Sequence, residues 1–280
     1  MVNFFKIIFI ALIGISSLES QAQINLNTAD VESVLYLGSN RKQALVVGLG
    51  GSEGGNSWTS DYWKDTRDEF IDQGYAFLAI GYFGADNTPD LLDRVSIDAV
   101  YKAIKTATAH KRVDKKNIAV VGGSRGADLA LLLASYYDDI DCVVSIVGSH
   151  TVFPGHTDHF TTSCWSFNGE ELPFVPVNDA CIPFLMEGDL RGTFEAMLLD
   201  TVAFEKAAIP IEKINGPILF LSADQDEICP STPMANYMVD RLGANEFGYF
   251  YEHKIVEGGH AAPLGAFDYI LKFLGEHFKS

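Results

Sequence analysis

A serine lies in a glycine-rich segment near the middle of this 280-residue sequence. The segment "NIAVVGGSRGADLALLLAS" contains Gly122-Gly123-Ser124-Arg125-Gly126, a G-x-S-x-G pattern between an apolar run and an Ala/Leu-rich run. Glycines permit a tight turn from strand to helix, and such a turn exposes the serine hydroxyl. The pattern therefore predicts that Ser124 attacks a carbonyl carbon. The alternative at this stage is a serine that only caps the helix.

A nucleophilic serine needs a base to accept its proton and a third group to orient that base. After a strand-to-helix serine turn, the expected chain order is serine, acid, histidine. The segment "FLSADQDEICP" offers two acids, and we favour Asp226 because the loop needs a few residues before a carboxylate turns inward. Asp224 remains the alternative. Of the seven histidines, only His260 follows the acid in a loop at the carboxyl end of a predicted strand.

Attack on a carbonyl group builds up negative charge on the oxygen, which backbone N–H groups stabilise. We expect one such N–H group at Arg125, directly after the nucleophile, and a second in the loop "LGGSEGG" at residues 49–55, at Ser52 or Glu53. The loop does not fit a phosphate site, because no Lys-Ser/Thr pair follows it and no dinucleotide fingerprint surrounds it. We therefore interpret it as the predicted oxyanion loop.

The elements that would position these residues alternate along the chain from residue 44 onward. Short apolar runs are followed by longer helical patterns, which predicts a parallel sheet with helices on both faces. The strand-like runs are apolar almost throughout, as is typical of strands buried on both faces. The predicted strands are "ALVVGLG", "YAFLAIGYFG", "NIAVVGG", "DCVVSIVG", "PILFLSA" and "FGYFYEHKIV". The expected fold class is α/β with a mostly parallel central sheet.

The alternation breaks at about residues 149–216, a segment rich in proline, glycine, aromatic and polar residues. Long irregular segments in compact domains are usually functional, so we interpret this insertion as a lid or a wall of the substrate pocket. No internal repeat or linker is apparent, and residues 23–280 are predicted to form a single domain.

The first 22 residues have the pattern of an export signal. A lysine near the start precedes an apolar core from Ile7 to Ile15, and small residues at Ser20 and Ala22 favour cleavage after Ala22. The apolar core is short for a membrane span, so an uncleaved anchor is the weaker alternative. We expect a periplasmic or secreted protein with no stable membrane anchor after cleavage.

Composition narrows the partners and cofactors. The net charge of −17 disfavours nucleic acid and anionic lipid as partners, and 48% hydrophobic residues indicate a packed core. The four cysteines have no zinc-binding spacing, so no metal site is expected, and the predicted serine mechanism requires no cofactor. Export would allow disulfides to persist, and the sequence leaves open whether Cys164 pairs with Cys181, whereas Cys142 is predicted to be a buried thiol.

Several motifs together resemble a known catalytic domain. They are "GLGGSEGG", "LAIGYFGADNTPDLLDRVSIDAVYKAI", "VVGGSRGADLALLLAS", "SCWSFNGEELPFVPV", "LSADQDEICPS" and "EGGHAAP". They resemble the domain shared by acyl-CoA thioester hydrolases and bile acid-CoA:amino acid N-acyltransferases, dienelactone-hydrolase-like members of the α/β-hydrolase superfamily. The likeness covers about residues 42–280. It implies an α/β-hydrolase fold with an insertion after the sixth strand, and it implies that the family's serine, acid and histidine fall on Ser124, Asp226 and His260.

These patterns together predict an exported serine hydrolase acting on a small-molecule acyl ester or thioester. Transferases of the family that the chain resembles use a cysteine nucleophile, so Ser124 favours water as the acyl acceptor. The alternatives are a serine peptidase on the same fold and a binding protein that keeps the fold without the chemistry. The sequence does not identify the acyl chain or the oligomeric state.

Overall fold

The computed structural model describes residues 22–278 and is organised around an eight-stranded sheet. The strands lie in the order β1-β2-β4-β3-β6-β7-β10-β11; β2 pairs antiparallel with β1 and with β4, and the other pairs are parallel. The mostly parallel sheet agrees with the prediction. The strands are β1 (Ala22–Leu26), β2 (Glu32–Leu37), β3 (Gln43–Leu49), β4 (Ala76–Gly81), β5 (Val95–Ser96), β6 (Val113–Gly123), β7 (Cys142–Ile146), β8 (Trp165–Phe167), β9 (Glu170–Glu171), β10 (Ile218–Ala223) and β11 (Tyr251–Val256).

The central strands form because their residues are apolar on both faces. All residues of β4, β7 and β10 are buried. Side chains alternate between the two faces of a strand, so Val46 of β3 packs into one hydrophobic core and the adjacent Val47 packs into the other. The sheet is therefore covered on both sides, as its apolar runs predict.

Eight helices in residues 22–278 cover the sheet and build the insertion. Side chains of α1 and α8 pack into the core on one face, and side chains of α2, α3 and α7 pack into the core on the other. The helices are α1 (Lys64–Asp72), α2 (Ile97–Thr108), α3 (Arg125–Tyr136), α4 (Ile182–Glu187), α5 (Leu190–Met197), α6 (Thr201–Ala207), α7 (Ser231–Ala244) and α8 (Phe267–His277).

The insertion follows β7, the sixth strand of the large sheet, as the resemblance implies. It is less irregular than its composition indicates, because α4, α5 and α6 occupy its second half. In its first half, β8 and β9 join β5 in a small three-stranded sheet. The pattern analysis missed β1 and β2, which precede the first predicted strand.

The predicted export signal, residues 1–22, lies outside the described residues except for Ala22, the first residue of β1. Within residues 22–278, no helix is long and apolar enough to cross a membrane.

Candidate active site

The turn between β6 and α3 holds Ser124 in a strained conformation. Its φ and ψ are 52° and −120°, a backbone region that costs a residue with a side chain about 1–3 kcal/mol. The flanking glycines make this turn possible. A Cβ atom on Gly122 would lie 2.0 Å from the carbonyl oxygen of Gly126, and a Cβ atom on Gly126 would lie 2.2 Å from the carbonyl oxygen of Gly50. The G-x-S-x-G pattern thus reflects close backbone approach on both sides of the serine.

The loops after β10 and β11 bring an acid and a histidine to this serine. Nε2 of His260 lies 3.1 Å from Oγ of Ser124. Nδ1 of the same ring lies 2.9 Å and 3.0 Å from the two carboxylate oxygens of Asp226. Glu227 holds the histidine loop in place by accepting a 2.9 Å hydrogen bond from the backbone N–H of His260. The three residues, which are far apart in the sequence, thus form one continuous hydrogen-bonded chain.

The surroundings of Asp226 keep its carboxyl group ionised. The side chain is fully buried, and burial raises the pKa of a carboxyl group. Hydrogen bonds from His260, from the hydroxyl of Ser231 at 2.6 Å and from the backbone N–H of Cys229 at 3.0 Å outweigh burial and lower the pKa below its ordinary value. An ionised carboxylate only accepts hydrogen bonds, so Nδ1 of His260 carries the proton and Nε2 is free to accept from Ser124.

Asp224, the alternative acid, lies outside this arrangement. It is exposed, and its carboxylate accepts a 2.8 Å hydrogen bond from the backbone N–H of Gly258. That contact joins the two loops but does not involve the imidazole. Of the two acids, the structure therefore brings Asp226 to His260. The insertion also reaches this loop, because Nη1 of Arg191 donates to the carbonyl oxygen of Asp226 at 2.8 Å.

The glycine loop at residues 49–55 runs beside the serine. A Cβ atom on Gly51 would lie 3.2 Å from Cβ of Ser124. The N–H group of Gly51 already donates to the carboxylate of Glu53 at 3.0 Å, whereas the N–H groups of Ser52 and Glu53 donate to no residue in the described range. Arg125 is the first residue of α3, and the first N–H groups of a helix lack intrahelical acceptors. Among residues 22–278, the N–H groups of the predicted donors therefore have no acceptor.

A cavity of about 860 Å³ opens at Ser124 and His260. Its volume lies in the range of small-molecule sites. Trp58, Trp63 and Phe267 line one side of it. The insertion supplies much of the rest of the wall, through Phe153, Val177, Leu185, Leu190, Phe194 and Met197. The aromatic and apolar content of the insertion was the available sequence signal for this wall, but the individual residues were not predicted.

A buried ion pair beside the serine was also missed. Nη1 of Arg125 donates to the carboxylate of Asp128 at 3.0 Å, and side-chain exposure is 9% and 1%. Burial raises the pKa of Asp128 to about 6 although the guanidinium attracts its charge. The available signal was a pair of opposite charges three residues apart in the otherwise apolar helix "RGADLALLLAS".

The four cysteines, Cys142, Cys164, Cys181 and Cys229, are buried free thiols. Cys164 and Cys181 do not pair, because they belong to different hydrophobic clusters. Cys229 lies close to Asp226 and His260 in a group that resembles a metal site. The group does not fit a metal ion, because the carboxylate and the imidazole bind each other and burial raises the pKa of the Cys229 thiol well above its ordinary value.

Solved structures show that the described chain has the α/β-hydrolase fold. An esterase of Pyrococcus furiosus superposes with a TM-score of 0.62 and 14% identity over 93% of this chain and 92% of that chain. A puromycin-hydrolyzing peptidase of Mycobacterium tuberculosis superposes with a TM-score of 0.64 and 14% identity over 92% of this chain and 39% of that chain. The expected fold class is confirmed.

Within that class, the chain belongs to the family described as BAAT / Acyl-CoA thioester hydrolase C terminal, whose model matches residues 95–264. The mouse peroxisomal succinyl-coenzyme A thioesterase is 28% identical over 250 residues, which cover 74% of this chain and 55% of the relative. The mouse acyl-coenzyme A amino acid N-acyltransferase 1 is 27% identical over 169 residues, covering 60% of this chain and 38% of the relative. The chain thus spans roughly two fifths to just over half of these relatives. The predicted family resemblance is confirmed.

Proposed function

We propose that the protein is an exported serine hydrolase that cleaves carboxylic esters or acyl thioesters. The observation that carries this proposal is the hydrogen-bonded chain from Ser124 through His260 to Asp226 beside a largely apolar cavity. Membership of a family that includes thioester hydrolases supports hydrolase activity. The predicted export signal supports a periplasmic or secreted location.

In the first half of the reaction, Oγ of Ser124 attacks the acyl carbon while Nε2 of His260 accepts the hydroxyl proton. Asp226 holds the imidazole in the required tautomer and stabilises its positive charge. The backbone N–H of Arg125 and an N–H at Ser52 or Glu53 stabilise the oxyanion that forms. The imidazolium then gives its proton to the leaving oxygen or sulfur, the bond to the acyl carbon breaks, and an acyl-enzyme remains.

In the second half, a water molecule attacks the acyl carbon and gives a proton to Nε2 of His260. The bond between the acyl carbon and Ser124 then breaks, and the imidazolium returns the proton to the serine oxygen. The products are a carboxylic acid and the free enzyme. All steps use groups of this chain and water.

The cavity favours a substrate with a substantial apolar part. Its wall contains aromatic rings from the loop after β3 and from the insertion, which offer a surface for an acyl chain or an aromatic leaving group. CoA thioesters are cytoplasmic metabolites, so an exported enzyme is better matched to esters or to other thioesters. The serine nucleophile favours water over an amine as the acyl acceptor.

A hydrolysis panel tests the proposal. The purified protein is assayed with p-nitrophenyl esters and acyl-CoA thioesters of graded chain length. We expect turnover of at least one series, and a loss of about 10⁴-fold or more in kcat in Ser124→Ala and His260→Ala. Ser39→Ala, at an exposed serine in the loop between β2 and β3, is the control and should keep wild-type activity. Near-wild-type turnover in Ser124→Ala would refute the proposal.

A further inference from the structure

The large sheet ends in a strand whose outer edge is open. β11 lies last in the strand order and, in the described part of the chain, pairs only with β10. The carbonyl oxygens of Phe250 and Val256 accept hydrogen bonds from the β10 side. Backbone groups alternate in direction along a strand, so the N–H and C=O groups of Tyr251, His253 and Ile255 point away from β10.

This outer edge has the surface of an interface. The outward backbone groups of β11 bond to no other element among residues 22–278. Apolar side chains at the edge are also uncovered, because Tyr249, Phe250 and Ile255 are 45%, 46% and 51% exposed. An edge strand with free N–H and C=O groups is a template for a further strand. Both the hydrogen-bonding groups and the apolar surface that such a strand needs are therefore present.

The charges of β11 restrict which strand fits. Glu252 and Lys254 project from the same face, because side chains two residues apart share a face of a strand. Glu252 accepts a hydrogen bond from the hydroxyl of Tyr269, and Nζ of Lys254 lies 4.3 Å from the centre of the same ring. No ion pair between described residues includes either charge. Charges on an edge strand discourage pairing with strands that do not match them.

A second copy of β11, running antiparallel, matches these charges in one register. With the two-fold axis at His253, Glu252 of each copy lies opposite Lys254 of the other. In the same register Tyr251 lies opposite Ile255, an aromatic and a β-branched residue. A register centred on Glu252 would place two glutamates opposite each other, and one centred on Lys254 would do so with two lysines. Only the register centred on His253 pairs opposite charges on both sides of the axis.

This register also satisfies the backbone. Each outward-facing residue of one copy lies opposite an outward-facing residue of the other, so the three pairs exchange about six N–H···O bonds. At the axis, His253 lies opposite its own copy. Burial lowers the pKa of His253 below its ordinary value, so the two rings are neutral at pH 7 and do not repel each other. Nε2 of each ring is held within its own chain, 2.7 Å from Oγ of Ser222.

We propose that the protein forms a symmetric dimer in which the β11 strands of two copies pair antiparallel about His253 and join the two large sheets into one. The partner is a second copy of this chain, because one and the same strand supplies both members of each charge pair. The net charge of −17 opposes association at long range, but physiological salt screens that repulsion beyond about 8 Å. The inference is independent of the proposed hydrolase function.

Sedimentation equilibrium in physiological salt tests the inference. We expect the wild type to sediment as two chains in the upper micromolar range and as one chain after dilution. Glu252→Lys places lysine opposite lysine, and Lys254→Glu places glutamate opposite glutamate. Each change should raise the dimer dissociation constant by about tenfold or more, because like charges then face each other twice. A wild type that remains a single chain throughout this range would overturn the inference.

Mixing the two variants separates this interface from a general effect of charge. In an equimolar mixture of Glu252→Lys and Lys254→Glu, opposite charges face each other again, so the mixture should dimerise although neither variant does so alone. The double variant Glu252→Lys/Lys254→Glu keeps the net charge of the wild type and should also dimerise. The control is Lys102→Glu, at an exposed position of α2, which packs against β4 and β6. It matches Lys254→Glu in charge and should dimerise like the wild type.

Two results of these experiments would overturn the inference. One is a dimer that neither charge reversal weakens, which would assign association to another surface, such as the exposed apolar helix α4. The other is a mixture of folded variants that does not recombine. Thermal unfolding of each variant shows whether its fold is intact, because both substitutions remove a contact with Tyr269.

Amide hydrogen exchange locates the contact residue by residue. In the dimer the N–H groups of Tyr251, His253 and Ile255 donate across the interface, so they should exchange at least about tenfold more slowly in concentrated than in dilute protein. The N–H groups of Glu252 and Lys254 face β10 in either state, and their exchange should not depend on concentration. Exchange at the three outward positions that is equally fast at both concentrations would overturn the inference.

Discussion

Replacing Asp226 by asparagine tests the division of roles between the two acids of the loop after β10. The two oxygens of Asp226 now accept from two backbone N–H groups, from the hydroxyl of Ser231 and from His260. An asparagine keeps one acceptor oxygen and presents an N–H group in place of the other. The N–H group of the amide favours the tautomer of His260 with its proton on Nε2, and this tautomer cannot accept the proton of Ser124.

The expected effect is large because every turnover needs that proton transfer. In serine hydrolases the corresponding change lowers kcat by about 10⁴-fold, which is about 5 kcal/mol of transition-state stabilisation. The control is Asp224→Asn, which has the same chemistry two residues earlier. Asp224 accepts one hydrogen bond from Gly258 at an exposed position, so kcat should change by no more than about threefold.

The kcat of both variants is measured under the same conditions with a p-nitrophenyl ester as the substrate. Thermal unfolding shows whether Asp226→Asn remains folded. If Asp226→Asn kept more than a tenth of wild-type kcat, or if Asp224→Asn lost as much as Asp226→Asn, the assignment of the acid would be refuted. If Asp224→Asn lost activity and Asp226→Asn kept it, Asp224 would be the acid that orients His260.

Two further predictions concern stability. Gly122→Ala should lower the free energy of unfolding in urea by about 3 kcal/mol or more, because its Cβ would lie 2.0 Å from the backbone oxygen of Gly126. In the control Gly123→Ala, the Cβ would meet no atom within 4 Å, so the loss should be under about 1 kcal/mol. Equal losses in the two variants would contradict the reasoning. His150 is buried between two aromatic rings and burial lowers its pKa to about 4, so the unfolded chain binds its proton first and stability falls as the pH drops from about 6.5 towards 4. Between pH 7 and 4.5 the wild type should lose about 2 kcal/mol more than His150→Phe, and equal losses would refute the shift.

The sequence predicted those elements whose residue types follow directly from their burial or from their backbone geometry. The buried central strands are apolar because both of their faces are covered, so β3, β4, β6, β7 and β10 were apparent as apolar runs. The serine turn was apparent because its glycines are required locally: a Cβ atom on Gly122 or Gly126 would clash with a backbone oxygen.

Other features depend on tertiary contacts that no local pattern encodes. The β1 strand alternates between half-buried and exposed residues because it lies at an edge of the sheet, so it lacks the apolar run of a core strand. The β2 strand lies between β1 and β4 and is buried from Ser33 to Leu37, so its apolar run was an available signal that was not used. The spacing of Arg125 and Asp128 indicates that their charges can pair but does not show that the pair is buried. Their burial follows from the insertion, which covers this end of the sheet with residues such as Phe153 and Phe194.

Fluorophosphonate labelling tests most directly the claim that Ser124 is an activated nucleophile, because the reagent reacts covalently with an activated serine. The account predicts one adduct per chain, located by peptide mass spectrometry on Ser124, and no adduct in Ser124→Ala. It also predicts strongly slowed labelling in His260→Ala, which lacks the base, and wild-type labelling in Ser39→Ala. An unlabelled wild-type protein, or an adduct that persists in Ser124→Ala, would contradict the account.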